Sequence, residues 1–484
     1  MPDAGLVRGL KPYPAYKDSE GFWLDRVPVH WEMRRIKWIA IVNPSRSEAR
    51  QSLSSDIPLT FLPMEHIGTY GQVDSSEYKP TSALWNGFTY FRRGDVLIAK
   101  ITPCFENGKG ACLDRLPTSI GFGSTEFHVL RARSLITPQY LYRVTTIPEF
   151  RRLGADAMTG AAGQQRVPQS FVDFPITIPQ LSEQLAIVRF TDYVDRRIRR
   201  YIRSKQKLIA LLNEQKQAII HRAVTRRLDP NVRLKPSGVE WLGSVPDQWE
   251  IRRAKYFFRE VDERSTTGIE ELLSVSHITG ITPRNRKNVT MFMAASNVGH
   301  KLCRPGDLAI NTMWAWMGAL GISRYAGIVS PSYAVYRPLR DSKLLSHYID
   351  LLLRTRPFVA EYFCRSTGIR SSRLRLYPEQ FLRIKLPCPP TEEQRAIVRW
   401  VGDATVAADR AIVETQGEID MLREYRTRLI ADVAKGKLDV RGAAAHLPDE
   451  TQEAESIGDS DALSQDEEEL ENADLGVPPE EAEA

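Results

Sequence analysis

The sequence predicts an α/β (α+β) protein made of two copies of one module, each a domain of mixed strands and helices followed by a long helix. Three observations predict it. The pattern WLxxVPxxWExRRxK occurs at residues 23–37 and again at 241–255. A second block, PQLSEQLAIVRF at 179–190, returns as PPTEEQRAIVRW at 389–400. After each second block, apolar residues recur at 4-3 spacing without a proline for roughly 40 residues. A chain of 484 residues is long enough for more than one domain.

The opening motif sets the frame. Trp23, Val27, Pro28, Trp31, Glu32, Arg34, Arg35 and Lys37 match Trp241, Val245, Pro246, Trp249, Glu250, Arg252, Arg253 and Lys255 at a constant offset of 218. Such rare residue types do not agree over this distance by chance. Trp31 and Trp249 are read as core. The paired arginines, kept in both copies, favour a scaffold or phosphate role over base reading. Further on the offset drifts: Gly94-Asp95 matches Gly306-Asp307, Thr159-Gly160 matches Thr367-Gly368, and the middles otherwise diverge.

Within each middle, apolar runs bounded by Gly and Asp, such as GDVLIAKI (94–101) and GDLAINTMW (306–314), read as strands. PQYLYRVTTIPEF (138–150) and SHYIDLLLRTRPFVAEYF (346–363) have helical spacing. The uncharged stretch Leu308 to Ser323 is too short to span a membrane and reads as a buried strand and turn. The long helices begin after Pro179 and Pro389, with Ser182 or Thr391 and acids in the first turn. Val194, Ile198, Tyr201, Leu208, Leu212 and Ile219 form one apolar seam. Ala404, Ala408, Ala411, Leu422, Tyr425 and Leu429 form the other, with Lys205 and Thr415 interrupting both at one repeat position. Each helix most simply buries its seam against the other.

The expected boundaries are 1–181 for the first domain, 182–228 for the first long helix, 229–390 for the second domain, 391–440 for the second long helix and 441–484 for an acidic tail. Residues 449–484 hold 15 acidic side chains and no Lys or Arg, and the tail is expected to be disordered. The formal net charge of +6 therefore hides a charge of +21 on residues 1–448. A basic folded body suits a polyanion such as nucleic acid. The five cysteines form no CxxC pair, which fits a reducing cytoplasm. The first residues lack the apolar core of a secretory signal.

Catalytic signatures are missing. There is no GxxxxGK[ST] phosphate loop, no [DN]PP[YF] methyltransferase tetrapeptide and no HExxH. Glu214-Gln215-Lys216 reads as solvated helix charge and Asp341-Ser342-Lys343 as a polar turn, rather than nuclease half-motifs. Glu183-Gln184 and Glu393-Gln394 read as capping and interface residues rather than general bases.

DNA reading needs Lys and Arg for phosphates and Arg, Gln or Asn for base edges. The first domain offers Arg92, Arg93, Lys100, Asn107, Lys109 and the run Gln164-Gln165-Arg166. The second offers Arg284, Asn285, Arg286, Lys287 and the run Arg370-Ser371-Ser372-Arg373. The last run of each set follows the shared Thr-Gly, so both are expected at one topological position, facing DNA.

Two divergent domains, each opened by WLxxVPxxWE and closed by a PxxxEQxAIV helix, resemble the DNA specificity subunit of type I restriction–modification systems over residues 15–440. The resemblance implies two target recognition domains, each reading one half of a split site on double-stranded DNA. It implies that the long helices pack antiparallel, fix the spacer and dock two methyltransferase (modification) subunits, with restriction and translocase subunits joining later. It implies a non-catalytic chain that binds no cofactor itself; S-adenosylmethionine, ATP and magnesium would be bound by its partners. A specificity chain serving one fused methyltransferase–nuclease partner, a coiled-coil adaptor with no DNA role and a stand-alone nuclease are the alternatives. The acidic tail has no counterpart in the family pattern.

Overall fold

The opening motif forms a strand because Glu32 to Arg35 must pair with something, and its partner is the segment that leads into the long helix. In a computed structural model of the chain, Glu32–Arg35 runs antiparallel to Pro175–Ile178. Glu250–Arg253 pairs in the same way with Lys385–Cys388. The structure describes residues 9–19, 23–49, 56–160, 164–172, 174–225, 228, 231–286, 296–368 and 374–448. The described residues form two compact units, one from those within 1–205 and 417–448 and the other from those within 206–416.

Both units carry the same frame. A short hairpin, Tyr16–Asp18 with Arg26–Pro28, has its counterpart in Leu234–Pro236 with Ser244–Pro246, again 218 residues on. The central sheet of the first unit is antiparallel, in the order Ala40–Val42, Phe127–Ala132, Val96–Ala99, Gly110–Cys112. In the second unit the order Phe258–Val261, Ala334–Pro338, Leu308–Ile310, Leu320–Ile322 repeats it strand for strand. Three helices cover each sheet: Pro138–Thr145, Pro148–Asp156 and Gln169–Val172 in one, Ser346–Leu353, Arg356–Arg365 and Pro378–Arg383 in the other. Trp31 and Trp249 are fully buried in the two cores.

A second group of strands lies outside that frame in each unit. The first unit adds a four-stranded sheet, Tyr78–Pro80, Pro58–Leu62, Ile120–Gly123, Thr89–Arg92, containing one parallel pair and its own small core of Leu59, Phe61, Leu84 and Phe122. The second pairs Leu273–Ser276 with Gly280–Pro283 and Lys301–Cys303 with Gly327–Val329, and a parallel bridge between Leu272 and Ile328 joins the two pairs in the corresponding order.

The long helices are Leu181–Thr225 and Thr391–Ala434. In the first unit Lys205 pairs with Glu418, whereas Asp195, ten residues earlier, pairs with Arg426, eight residues later, so the helices run antiparallel. In the second unit Lys216 pairs with Asp409, and Ala223 and Val224 share a core with Ile397 and Val401. Most of the expected seam faces inward: Val194, Ile198 and Leu429 are buried, as is Thr415 where it interrupts the apolar pattern. Leu208 and Ala404 are exposed, and Thr405, which carries no apolar signal, is buried beside Ala404. Among the described residues no helix is long and apolar enough to cross a membrane.

Candidate nucleic-acid interface

The candidate loops rise from a repeated platform. Gly94 and Gly306 take positive φ of 87° and 89°, which lets each chain turn sharply into a central strand. The following aspartates anchor those turns. Asp95 accepts from the Arg92 amide at 2.8 Å, and Asp307 from the Arg304 amide at 2.9 Å. Each also takes a forked arginine from the neighbouring strand: Arg131 on Asp95 at 2.8 Å twice, Arg337 on Asp307 at 3.0 Å twice. Glu48 completes the first triad and Glu263 the second. Asp95 and Arg131 are 1% and 4% exposed, so both charges depend on this geometry.

At the far end of the same strands sit the loops. Thr159 and Arg166 exchange backbone hydrogen bonds of 3.0 and 2.9 Å, closing a tight loop. Thr367 and Arg375 do the same at 3.0 Å each. The next residue then ties each loop to the central strand: the Val167 amide donates to the Lys100 carbonyl at 2.8 Å, and the Leu376 amide to the Thr312 carbonyl at 2.9 Å. The two loops therefore hold one topological position. Beneath the first, buried His128 donates from Nε2 to the Val167 carbonyl at 2.9 Å, and burial pushes the pKa of its imidazole down.

Around that position the first unit gathers Lys100, Gln164, Gln165 and Arg166. Gln165 bonds through its backbone to Thr102, and Arg166 lies across from Ile101. The Arg166 guanidinium, 46% exposed, forks onto Glu126 at 2.8 and 2.9 Å, and this pairing holds the Glu126 carboxyl below the usual carboxylate range. Lys109 closes the segment that starts at Ile101, its amide donating to Cys104, while its ammonium reaches the Met64 carbonyl at 3.3 Å. Arg92 and Arg93 are not part of this group. They sit at the opposite end of strand Val96–Ala99, and the Arg93 side chain donates to the Leu116 and Pro117 carbonyls at 2.7 and 2.8 Å.

In the second unit Arg284 and Arg286 lie on a turn beyond hairpin strand Gly280–Pro283, where the Arg286 guanidinium stacks 5.6 Å from the Tyr325 ring. Lys287, Arg370 and Arg373 lie outside the described residues. In the place of Lys100 and its following loop stands Thr312-Met313-Trp314-Ala315-Trp316-Met317, a turn rich in Trp and Met. As expected for the uncharged stretch, it follows a buried strand, and of its residues only Met317 is exposed. Its alignment with Lys100 through the shared Gly-Asp was the signal available.

The helix-leading glutamines are explained on the same footing in both units. Gln184 accepts from the Thr137 amide at 2.8 Å and donates to the Leu135 and Pro179 carbonyls at 3.0 and 2.9 Å. Gln394 accepts from the Leu345 amide at 2.8 Å and donates to Lys343 and Pro389 at 2.9 and 2.8 Å. Each fully buried amide fixes a helix to its domain. Glu183 is spent on His30 at 2.8 Å and Trp31 Nε1 at 3.1 Å. Glu214 faces Arg356 at 3.5 Å, and Lys216 is engaged by Asp409. Among the described residues no group of three His, Cys, Asp or Glu is arranged to hold a metal ion.

Comparison with known proteins bears on this repeated frame. The chain is 40% identical over 195 residues to the type I restriction enzyme EcoAI specificity subunit of Escherichia coli. The chain is thus a sequence relative of type I restriction specificity subunits. The EcoEI specificity subunit of the same organism is 35% identical over 187 residues. These stretches cover 39% and 38% of this chain but under a third of each relative, 31% and 30%. A chain from a solved structure concerned with complex assembly and conformational transition of the type I R–M system shares the fold. It has a TM-score of 0.57 and 18% identity, and the match covers 85% of this chain and 99% of that one. No family model matches.

Proposed function

We infer that this chain is the non-catalytic DNA-specificity subunit of a type I restriction–modification complex. One observation carries the reading: two frames of the same strand order hold a loop at the same place, and the chemistry around that place differs. Arg166 and Arg375 close the loop in both, but Lys100 stands in one unit where Thr312 stands in the other, followed by a Trp- and Met-rich turn. A protein that must read two unlike half-sites needs a fixed platform and unlike surfaces upon it.

On this reading residues 1–181 and 229–390 are the target recognition domains, and 182–228 and 391–440 the helices that set the spacer and dock two methyltransferase subunits. Restriction and translocase subunits then join the assembly. Lys100, Gln164, Gln165 and Arg166 contact DNA in one half, with Lys109 bracing the loop beside them. Arg284, Arg286, Lys287, Arg370 and Arg373 serve the other half. Arg92 and Arg93, at the opposite strand end, reach the phosphate backbone at most. S-adenosylmethionine, ATP and magnesium belong to the partner subunits.

Methylome sequencing of cells with and without the gene tests the proposal. A bipartite methylated motif that disappears on deletion is the expected result. An unchanged methylome in cells that express the partner methyltransferase would overturn it.

A further inference from the structure

The place that Lys100 and its loop hold in the first unit is filled in the second by a turn, Thr312 to Met317, that carries no charge. The turn is firmly closed. The Met317 amide donates to the Trp314 carbonyl at 3.0 Å, and the Gly318 amide to the Ala315 carbonyl at 2.8 Å. Gly318 takes a φ of 88°, and a Cβ there would come within 3.1 Å of Val359, so the turn sits close on helix Arg356–Arg365. Thr312 Oγ1 donates to the Ser332 carbonyl at 2.9 Å. Trp316 Nε1 donates to the Met313 carbonyl at 2.9 Å, so that indole has no donor left to offer.

Folding accounts for Ala315, which is fully buried, but not for the large side chains around it. Among the described residues, Met313, Trp314, Trp316 and Met317 belong to neither hydrophobic core of the unit. Met317 is 36% exposed. Phe363, one helical turn past Val359 on the same face, is 52% exposed. Tyr377, which follows the Leu376 that ties the loop to Thr312, is 46% exposed. Counted from the shared Thr-Gly and the closing arginine, the first unit has Ala155 and Pro168 in the places of Phe363 and Tyr377. Its own turn exposes Glu106 and Asn107. One unit thus presents polar groups at this position, and the other presents large apolar ones.

An uncharged turn neutralises no phosphate. An exposed apolar patch would suit a protein partner as well, but this one stands where the first unit gathers Lys100, Gln165 and Arg166. The apolar group that a DNA major groove presents is the C5-methyl of thymine. We propose that Met317, with Phe363 and Tyr377 on the elements that meet its turn, reads thymine methyl groups, so that the half-site of the second unit contains thymine where that of the first is read by polar side chains. This rests on the reading above, in which the loops at this position face DNA.

The test uses the full chain co-purified with its cognate methyltransferase subunit, and a duplex carrying the motif that methylome sequencing reveals. The half left unchanged by Gln164→Ala with Arg166→Ala is the half of the second unit. Deoxyuridine replaces thymine in one half at a time, which removes the methyl and keeps the base pairing. In the second unit's half it should weaken binding by the parent about fourfold, the worth of one buried methyl. Met317→Ala should bind the thymine and deoxyuridine duplexes equally, while Met317→Leu should keep the fourfold difference. Deoxyuridine in the other half should act alike on all three chains, and their melting temperatures should agree.

Full deoxyuridine sensitivity in Met317→Ala, or a second half without thymine, would overturn the proposal and leave the specificity reading standing. Fewer methyltransferase copies on Met317→Ala in native mass spectrometry, with deoxyuridine sensitivity intact, would assign the patch to protein docking and also overturn it. A parent complex that modifies no bipartite motif would overturn both.

Discussion

Asp95 and Arg131 are where single residues matter most. Removing one partner of a buried pair strands the other charge, which costs about 3–5 kcal/mol. Asp95→Ala should therefore lower unfolding stability by about that much in a denaturant titration, because Arg131 is only 4% exposed. A loss below about 1 kcal/mol would show that water reaches the site. His128 gives a second, pH-dependent prediction. Burial depresses its pKa below the ordinary 6.5, so the unfolded chain binds the proton before the folded one does. Its contribution is intact above about pH 6.5 and declines as the pH falls below it, by at most about 1.4 kcal/mol per pH unit. Stability curves of His128→Gln should lack that acid-side slope; an unchanged slope would assign it to other groups. The sequence exposed Gly94-Asp95 as shared but not its purpose, since Arg131 lies on a strand and Glu48 on a short 3-10 turn far apart in the chain, and only folding brings them together.

Element-scale stability depends on the polar part of the helix seam. Asp195, 2% exposed, takes Arg199 at 2.9 Å and Arg426 from the other helix. Lys205 and Glu418 pair at 31% and 49% exposure. Asp195→Ala should cost about 3–5 kcal/mol, and Lys205→Ala under about 1 kcal/mol, read by urea unfolding; equal losses would mean that burial does not rank these pairs. The existence of both helices was legible from 4-3 spacing and the lack of proline, although the second ends at Ala434, short of the expected 440. Their facing was legible at most positions, Thr415 included, but not at Leu208 and Ala404, which are exposed, nor at Thr405, which is buried and carries no hydrophobic signal. The loop positions were legible in part: the shared Thr-Gly marked both, whereas the correspondence of the Trp-Met turn at 312–317 with Lys100 and its loop showed only once the two central strands were superposed by the shared Gly-Asp.

At the scale of the whole molecule the duplication was plain in the sequence, and the repeated sheet order follows it. The exchange of helix ends was not. Tyr140 of the first domain reaches the Ala434 carbonyl at 3.5 Å, closing the end of the second helix, and Tyr348 reaches the Val224 carbonyl at 3.2 Å, closing the end of the first. Nothing local in either tyrosine segment announces a partner nearly 300 residues away in one case. If the helices set the spacer, seven residues inserted in each, beside Lys205 and beside Glu418, preserve the seam and lengthen it by about 10 Å. The unmethylated spacer of the modified site should then grow by about three base pairs, as methylome sequencing would reveal; an unchanged spacer would remove the helices from that role.

Twin frames with unlike readers make one demand that no other arrangement makes: a change to one loop must alter one half of the site. Methylome sequencing of cells carrying Gln164→Ala with Arg166→Ala measures this directly. Relaxed sequence preference in one half of the bipartite motif, with the other half unchanged, is the expected result. Alteration of both halves, or full methylation of the original motif, would contradict it.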